Sequence, residues 1–388
     1  EFRLDEPEDQ SEYRSIQNFD DNVINVCQES TYRFLEHVIN DVVAMHNEAG
    51  APLTTVHVGG DEVPAGVWTN SPACSTLETE EGISGKNELE QYFFSRLEGM
   101  LTSKNLKMAG WEEVAFMQDE EGNHVPNPEF NNTVIPHIWS NIWGGGTEEY
   151  AYELANSGFK VIMSHASNFY FDFAYNKHWQ EPGFYWVAMF NSRTPYSFIP
   201  FNLYRNAQTD SNGNPISDEY FEGFEQLTDQ GKENILGLQG QLWTETVNRE
   251  GAIDYMIFPR LLALAERAWV GDADWSTTAD TETMWQQRDD AWNEFANRVG
   301  QFEMNRLDLY HEGMNYRIPT PGAVVRGGVF YANSIYPGLT IRYEVDGPVT
   351  LQSPEFTRPV ELSDGQEVSV ALFNRQGRAG RSVTIPLN

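Results

Sequence analysis

Apolar and polar positions along the chain follow a pattern that predicts strands alternating with helices. Short apolar runs predict five strands: Leu53–Val58, Leu106–Trp111, Val134–Ser140, Lys160–His165 and Ile235–Trp243. Apolar residues at helical spacing predict four helices: Thr31–Glu48, Asn87–Lys104, Thr147–Asn156 and Ile253–Val270, the last with Pro259 in its interior. Strands that alternate with helices are typical of an α/β fold built on a parallel sheet.

Charged and aromatic residues gather at the carboxyl ends of these predicted strands. Asp61 and Glu62 follow the first strand, and Trp243 and Glu245 close the last. In (β/α)₈ barrels the active site lies at this end of the strands. A barrel of that type closes with eight strands, and only five are predicted here. The sequence therefore predicts either an open sheet or a barrel whose first three βα units precede residue 1.

The pattern of residue types changes at two places after the fourth predicted strand. The segment from Phe173 to Lys232 is long and irregular, which is typical of a functional lid. A Pro- and Gly-rich linker lies at 318–322, and short alternating runs after it predict the strands Thr340–Val345, Val349–Leu351, Glu367–Phe373 and Ser382–Pro386. We therefore expect an α/β domain over residues 1–316 and a small β-sandwich over residues 317–388.

The composition of the chain argues against some classes of binding partner. The chain has 58 acidic and 25 basic residues, a net charge of −33, which argues against binding nucleic acid or an anionic membrane surface. No apolar run is long enough to predict a transmembrane helix. Aromatic residues make up 13% of the chain, which fits either a tryptophan-rich core or a surface on which sugar rings stack.

The chain has two cysteines, Cys27 and Cys74, and their spacing excludes the usual zinc-ribbon and thioredoxin motifs. In an exported protein they could form one disulfide, which would stabilise the fold by roughly 4 kcal/mol in the chain-entropy model. Two buried free thiols are the alternative, and the sequence leaves both open.

The adjacent carboxylates Asp61 and Glu62 carry the clearest chemistry. They follow a predicted strand and two glycines, so both side chains can turn toward the mouth of a barrel. Two carboxylates this close do not ionise independently, which raises the pKa of one and suits it to act as a general acid. His57 and His137 could suggest metal ligation, but no third ligand has convincing spacing, and we expect no metal and no cofactor.

At these residues the chain resembles a known family. The run from His57 to Glu62 is similar to the HxGGDE signature of glycoside hydrolase family 20, the β-N-acetylhexosaminidases and chitobiases. Five later segments resemble further motifs of the family in the same order: Gly110–Glu113, Ile138–Trp139, Tyr170–Asp172, Trp243–Glu245 and Phe258–Trp269. The resemblance covers about residues 20–310 and implies the last five βα units of a catalytic barrel. Residues 317–388 are similar to the Ig-like C-terminal module of bacterial chitobiases.

The resemblance also implies roles for individual residues. Glu62 would act as general acid and then general base, Asp61 would hold the substrate's acetamido N–H, and Tyr170 would donate to the acetamido oxygen. Residues expected to bind the sugar are Trp111, Trp139, Asp172, Trp243 and Glu245, with Trp186 as either a pocket wall or a packing residue. His57 and Glu113 would support the site from behind.

The expected substrate is an oligosaccharide that ends in N-acetylglucosamine, such as chitobiose. No residue here matches the arginine that the family places on its first barrel strand, so we expect the chain to require an N-terminal portion, covalent or nicked. Resemblance to bacterial chitobiases implies export to the periplasm, the outer membrane or the medium. Two alternatives are a catalytically silent sugar-binding relative and a retaining glycosidase with a carboxylate nucleophile.

Overall fold

In a computed structural model, which describes residues 3–119, 121–207, 209–210 and 213–386, the chain divides into two compact units. The first unit comprises the chain up to His165 together with Thr209–Leu238. The second comprises the chain from Ala166 to residue 208 and everything from Gln239 onward.

The first unit is built on a parallel sheet. The strands of this unit are β1 (Thr55–His57), β2 (Lys107–Trp111), β3 (Phe116–Gln118), β4 (His124–Pro126), β5 (Val134–Ile138), β6 (Val161–Met163) and β7 (Ile235–Leu238). Five of them form the sheet in the order β1-β2-β5-β6-β7, all parallel, and β3 pairs with β4 in an antiparallel hairpin. All five predicted strands are confirmed, although the last ends at Leu238 rather than Trp243.

Helices connect these strands and continue into the second unit. They are α1 (Glu29–Glu48), α2 (Pro72–Glu81), α3 (Gly85–Thr102), α4 (Tyr150–Asn156), α5 (Ala166–Phe169), α6 (Arg193–Tyr196), α7 (Asp229–Asn234), α8 (Ala252–Ile257), α9 (Arg260–Trp269), α10 (Thr281–Arg298) and α11 (Met304–Leu307). Short 3₁₀ segments lie at Glu112–Ala115, Leu203–Asn206, Asp218–Phe221, Asp274–Thr277 and Tyr310–Glu312, and a π-helical turn at Val299–Glu303. The segment from 173 to 232, predicted to be irregular throughout, therefore contains several short helices.

The prediction of one continuous helix over Ile253–Val270 was wrong. The structure has two helices, α8 and α9, because Phe258 takes an extended conformation with φ −99° and ψ 136° before Pro259. A residue before proline is disfavoured in the helical region, and proline lacks the amide hydrogen that would continue the ladder. The predicted helix at Thr147 likewise begins later, at Tyr150.

The C-terminal strands form two small antiparallel sheets. The strands are β8 (Gly322–Arg326), β9 (Val329–Asn333), β10 (Thr340–Val345), β11 (Val360–Glu361), β12 (Glu367–Phe373) and β13 (Val383–Pro386). One sheet has the order β10-β12-β13 and the other β11-β9-β8, and apolar side chains of both meet around Phe330, Val368 and Val370. The predicted strand at Val349–Leu351 was wrong, since those residues form a loop and turn, and β8 and β9 were not predicted. The division at residues 316 and 317 stays a prediction.

The cysteines form a disulfide, Cys27–Cys74, at the buried edge of a cluster that includes Val26, Trp68 and Leu89. This resolves the open alternative in favour of the bridge. Within the described ranges, no helix is both long and apolar enough to cross a membrane. Over the same ranges no group of three or more His, Cys, Asp or Glu side chains is arranged to hold a metal ion.

Candidate active site

The predicted site residues fall into two groups, one in each unit, and the first follows β1. Gly59 and Gly60 leave the strand with φ values of +77° and +104°, a region that favours glycine. A β-carbon on Gly60 would lie 2.5 Å from the side chain of Val114 and 3.2 Å from that of Phe94, so the loop must pass close to the layer beneath it. This close passage fixes where Asp61 and Glu62 emerge.

Glu62 combines backbone strain with a raised pKa. Its φ is +52°, in the left-handed region, which costs a non-glycine residue of order 1 kcal/mol or more and tends to mark functional positions. Burial raises the pKa of Glu62, the charge of Asp61 raises it further, and a hydrogen bond from Gln17 lowers it. Gln17 Nε2 donates to Glu62 Oε2 over 3.1 Å. The pKa therefore rises as expected, although burial contributes more than the neighbouring carboxylate.

Glu112 and Glu113, at the end of β2, hold Trp139 at two points. The buried Glu112 accepts the backbone N–H of Trp139 at 2.6 Å and that of Ser140 at 3.1 Å. Both oxygens of Glu113 lie 3.4 Å from the indole nitrogen of Trp139. Burial raises the pKa of both carboxyls, and Asp61 adds to the rise at Glu113. Trp139 is thus fixed in position and in ring orientation.

His57 and Trp111 lie side by side beneath this group. The ring centroids of His57 and Trp111 are 5.0 Å apart, and those of His57 and His137 are 4.7 Å apart, both in edge-on contact. The Gly59 N–H donates to Nδ1 of His57 over 3.2 Å, and burial lowers the pKa of the imidazole. This contact fits the expected supporting role of His57, since it links the ring to the loop that carries Asp61.

A cavity of about 220 Å³ lies beside Glu62 and Glu113. Its other polar lining residues include Lys86, Glu90, Gln118 and His124, from α3 and the β3–β4 hairpin. Lys86 and Glu90 form an ion pair at 2.9 Å. The candidate acid is therefore open on one side to a polar space large enough for several water molecules.

The second group begins where Tyr170 follows α5. Tyr170 is bridged to Gln241, and the Phe171 N–H donates to the Gln241 carbonyl at 2.7 Å. The ring of the buried Tyr170 has its centroid 6.1 Å from that of Trp243 and 6.3 Å from that of Trp186. The structure therefore brings three predicted site residues together, although they come from separate parts of the chain.

Asp172 is the most deeply buried acid of this group, with 1% of its surface exposed. Burial raises its pKa to about 6, the nearby Glu245 raises it, and the Trp243 amide and Arg260 lower it. Its Oδ1 is buried and has no hydrogen-bond partner among the described residues. Because buried acceptors are nearly always satisfied, this oxygen is suited to accept a hydroxyl of a bound ligand.

The remaining predicted residues of the second group are exposed to solvent. Trp186 is 53% exposed and Trp243 is 38% exposed, and Glu245 is also exposed. Trp186 packs edge-on against Phe173, with ring centroids 5.2 Å apart. Clustered exposed aromatic side chains mark surfaces that bind ligands or partners.

Arg260 holds the backbone on either side of Asp172, and the sequence analysis did not single it out. It is fully buried, and its guanidinium donates to the carbonyls of Phe171, Phe173 and Met256. The first two carbonyls flank Asp172. Gln241 was also missed; its side-chain amide is buried and has no hydrogen-bond partner among the described residues. Arg260 lies in a motif segment and Gln241 lies two residues before one, but the burial of both is not revealed by the sequence alone.

Comparison with known proteins identifies the family. The family model of the glycosyl hydrolase family 20 catalytic domain matches residues 2–272, well over half of the chain. The chain belongs to glycosyl hydrolase family 20. The model of the chitobiase/β-hexosaminidase C-terminal domain matches residues 303–382 of this family 20 chain. The resemblance inferred from the motifs is therefore confirmed.

Two curated Vibrio proteins are similar over most of this family 20 chain. A β-hexosaminidase of Vibrio vulnificus is 30% identical over 97% of it, and an N,N′-diacetylchitobiase of Vibrio harveyi is 32% identical over 92%. The alignments cover 45% and 44% of those proteins, so the chain spans about half the length of the curated relatives it matches.

Solved structures give the same result. The structure of an inactive mutant of a GH20 exo-β-N-acetylglucosaminidase from Vibrio harveyi superposes with a TM-score of 0.58 and 30% identity. The superposition covers 82% of this chain and 40% of that one. The same Vibrio enzyme in complex with N-acetylglucosamine gives a TM-score of 0.56 at 28% identity, over 81% of this chain and 40% of that chain.

Proposed function

We propose that this chain carries the acid/base residues of an exo-β-N-acetylhexosaminidase that releases terminal N-acetylglucosamine from chitobiose and short chito-oligosaccharides. The observation that carries the proposal is Glu62, a carboxyl of raised pKa beside Asp61 at the end of a strand in a family 20 chain. A raised pKa keeps an acid protonated until the leaving group needs the proton.

In this proposal the substrate supplies its own nucleophile. The acetamido oxygen attacks C1 while Glu62 protonates the departing glycosidic oxygen, and a cyclic oxazolinium forms. Asp61 accepts the acetamido N–H and balances the positive charge that develops on the ring. Glu62, now ionised, takes a proton from water as the water attacks C1. The bond between C1 and the acetamido oxygen breaks in the same step, which restores the acetamide and leaves the sugar with retained configuration.

The other residues bind the sugar. Tyr170 donates to the acetamido oxygen, and Trp111, Trp139 and Trp243 enclose the acetyl group and the sugar ring. Asp172 and Glu245 accept hydroxyl hydrogens, for which the unpartnered Oδ1 of Asp172 is support. Trp186 forms an outer wall. His57 and Glu113 support Asp61 and Trp139, which fits the contacts of both with their neighbours.

The proposal includes an N-terminal portion that completes a (β/α)₈ barrel. Its supports are the matched relatives, which are about twice as long as this chain, and the outer strands β1 and β7, each paired on one side in the described sheet. Export to the periplasm, the outer membrane or the medium also belongs to the proposal. Its support is the disulfide, since structural disulfides persist mainly in oxidising compartments.

Hydrolysis of paired chromogenic substrates tests the function. An N-acetyl-β-glucosaminide and the plain β-glucoside are offered to the chain combined with its N-terminal portion. Substrate-assisted catalysis predicts cleavage of the acetamido sugar only. Glu62→Gln should lower kcat by a factor of about 10²–10⁴, because general acid catalysis contributes that much, while the product still binds.

Two results would contradict the proposal. Equal cleavage of both substrates would indicate a carboxylate nucleophile, since the glucoside has no acetamide to attack C1. Sugar binding without any turnover would favour a catalytically silent sugar-binding relative. Glu36→Gln, an exposed change on α1, serves as the matched control and should leave kcat unaltered.

A further inference from the structure

A single buried carboxylate lies in the irregular loop that leads to Trp186. Glu181 is in this loop, and only 1% of its side chain is exposed. An ionised carboxylate removed from water must be paired, because an uncompensated buried charge is strongly destabilising. The residues that pair with Glu181 therefore show which parts of the chain hold this loop in place.

The partners of Glu181 come from later parts of the chain. Arg317 Nε donates to Oε1 at 2.7 Å and Nη2 to Oε2 at 3.3 Å, an arrangement that engages both oxygens. The Tyr255 hydroxyl donates to Oε1 at 2.9 Å. Arg381 lies 3.8 Å from Oε2 and also donates to the side chain of Asn176 at 3.0 Å.

Two of these partners belong to the C-terminal β-structure, by which we mean residues 317–386 with strands β8 to β13. Arg317 and Arg381 both lie inside the segment that matches the chitobiase C-terminal domain. Arg381 is held close to the sheet, because the Gly380 N–H donates to the Leu372 carbonyl of β12 at 2.8 Å. The loop is thus tied to this segment by ion pairs and hydrogen bonds.

The other end of the loop rests on the backbone around Asp172. Phe184 N–H donates to the Asp172 carbonyl at 2.9 Å, and Ala174 N–H donates to the Phe184 carbonyl at 2.8 Å. Gly183, with φ +117°, sits so close that a β-carbon would lie 2.4 Å from the Asp172 carbonyl oxygen. A shift of the loop therefore reaches Asp172 and Trp186 together.

We infer that Glu181 is a positioning residue through which the C-terminal β-structure sets the place of Trp186 and Asp172. The Arg317 and Arg381 side chains hold Glu181, Glu181 holds the loop, and the loop holds two residues to which the proposed function assigns sugar binding. The inference rests on that proposed function for its kinetic part. It gives the C-terminal segment a role in substrate binding without direct contact with substrate.

Arg381→Ala is the deciding variant, because Arg381 is partly exposed and its loss leaves Arg317 in place. Arg342→Ala is the matched control. It removes the Arg342–Glu355 ion pair at 2.8 Å inside the same β-structure, and the Arg342 side chain is 20% exposed compared with 24% for Arg381. Arg381→Lys tests rescue by charge, and Glu181→Gln weakens all three contacts at once.

Hydrogen exchange and kinetics give separate readouts. In the chain itself, Arg381→Ala should speed exchange of the Ala174 and Phe184 amides, Glu181→Gln should speed it more, and Arg342→Ala should leave it unchanged. In the chain combined with its N-terminal portion, Arg381→Ala should raise KM for chitobiose several-fold with kcat little changed, and Arg381→Lys should restore part of the loss.

Unchanged exchange and unchanged KM in Arg381→Ala would overturn the inference, whatever Glu181→Gln does. An equal change in Arg342→Ala would also overturn it, since the effect would then be a general loss of stability. If the wild-type assembly fails to cleave the acetamido sugar, the proposed function fails. The exchange measurement would still decide whether the loop depends on Arg381.

Discussion

Asp61 and Glu62 are neighbours in sequence with the same chemical group, and their surroundings differentiate them. Burial and the charge of Asp61 raise the pKa of Glu62, and its carboxylate accepts a hydrogen bond from Gln17. A hydrogen bond to a carboxylate stabilises the ionised form and so opposes the other two effects. Gln17, which lies outside the motif segments, therefore lowers the pKa of the proposed acid.

Replacing Gln17 by alanine should raise the pKa of Glu62 further, because the carboxylate loses the hydrogen bond that Gln17 donates to it. In the proposed enzyme, activity falls at high pH when Glu62 loses its proton, so this limb of the kcat/KM profile should move to higher pH. Gln28→Ala is the control, since the Gln28 side chain donates to the Asp5 carbonyl instead. If the high-pH limb of the profile does not move, the hydrogen bond from Gln17 does not affect the pKa of the proposed acid.

Asp172 should make sugar binding dependent on pH. Its pKa is raised from 3.8 to about 6, so the carboxylate takes up a proton as the pH falls through about 6 and loses its ability to accept as an anion. The affinity for N-acetylglucosamine, measured by calorimetry, should therefore weaken below pH 6. Asp172→Asn should bind more weakly and lose this dependence, because an amide does not titrate there. A wild-type affinity equal on both sides of pH 6 would contradict the assignment.

At the scale of elements, the hydrophobic pattern predicted those parts of the fold in which one face is buried. The five strands of the parallel sheet and α1, α3 and α4 lie where apolar periodicity placed them. The pattern failed at Phe258, where a local proline effect interrupts an otherwise helical period, and at β8 and β9, whose alternation is weak. At such positions the secondary structure is set by local backbone chemistry or by pairing with distant strands.

The residues of the candidate site also divide into those that the sequence predicted and those that it did not. Asp61, Glu62 and Trp139 follow strands directly, so position in the sequence was enough to propose them. Arg260 and Glu181 act through contacts with residues about 90 and 136 positions away, which only the folded chain brings together. Their types gave no signal, because an arginine or glutamate in sequence is more often on the surface.

Arg260→Met should destabilise the second unit strongly. The change leaves the carbonyls of Phe171, Phe173 and Met256 buried without their donor, at about 1 kcal/mol or more for each. We expect the free energy of unfolding to fall by about 3 kcal/mol or more, measured in urea. Arg306→Met removes an exposed pair with Glu303 and should cost less than about 1 kcal/mol. Equal losses in the two variants would show that the carbonyl contacts of Arg260 contribute little.

At the scale of the first unit, the parallel sheet ends in β1 and β7, and apolar residues are exposed on β7 and on the helix that precedes β1. Leu236 of β7 is 54% exposed, and on α1, which precedes β1, Val38 is 42% and Met45 is 63% exposed. Parallel sheets are normally covered on both faces, and open strand edges promote pairing with other chains. These exposed positions support the proposal that further βα units pack there.

The chain produced alone should therefore self-associate or lack activity, and the N-terminal portion should correct both. The physical reason is that β1 and β7 would pair with strands of that portion rather than with a second copy. Sedimentation and hydrolysis of the N-acetyl-β-glucosaminide, measured with and without the N-terminal portion, test this directly. As a control, Leu236→Lys places a charge on the exposed position of β7 and should reduce self-association of the chain alone. A stable monomer of the chain alone with full activity would refute the prediction, because a complete pocket would then exist without any further strands.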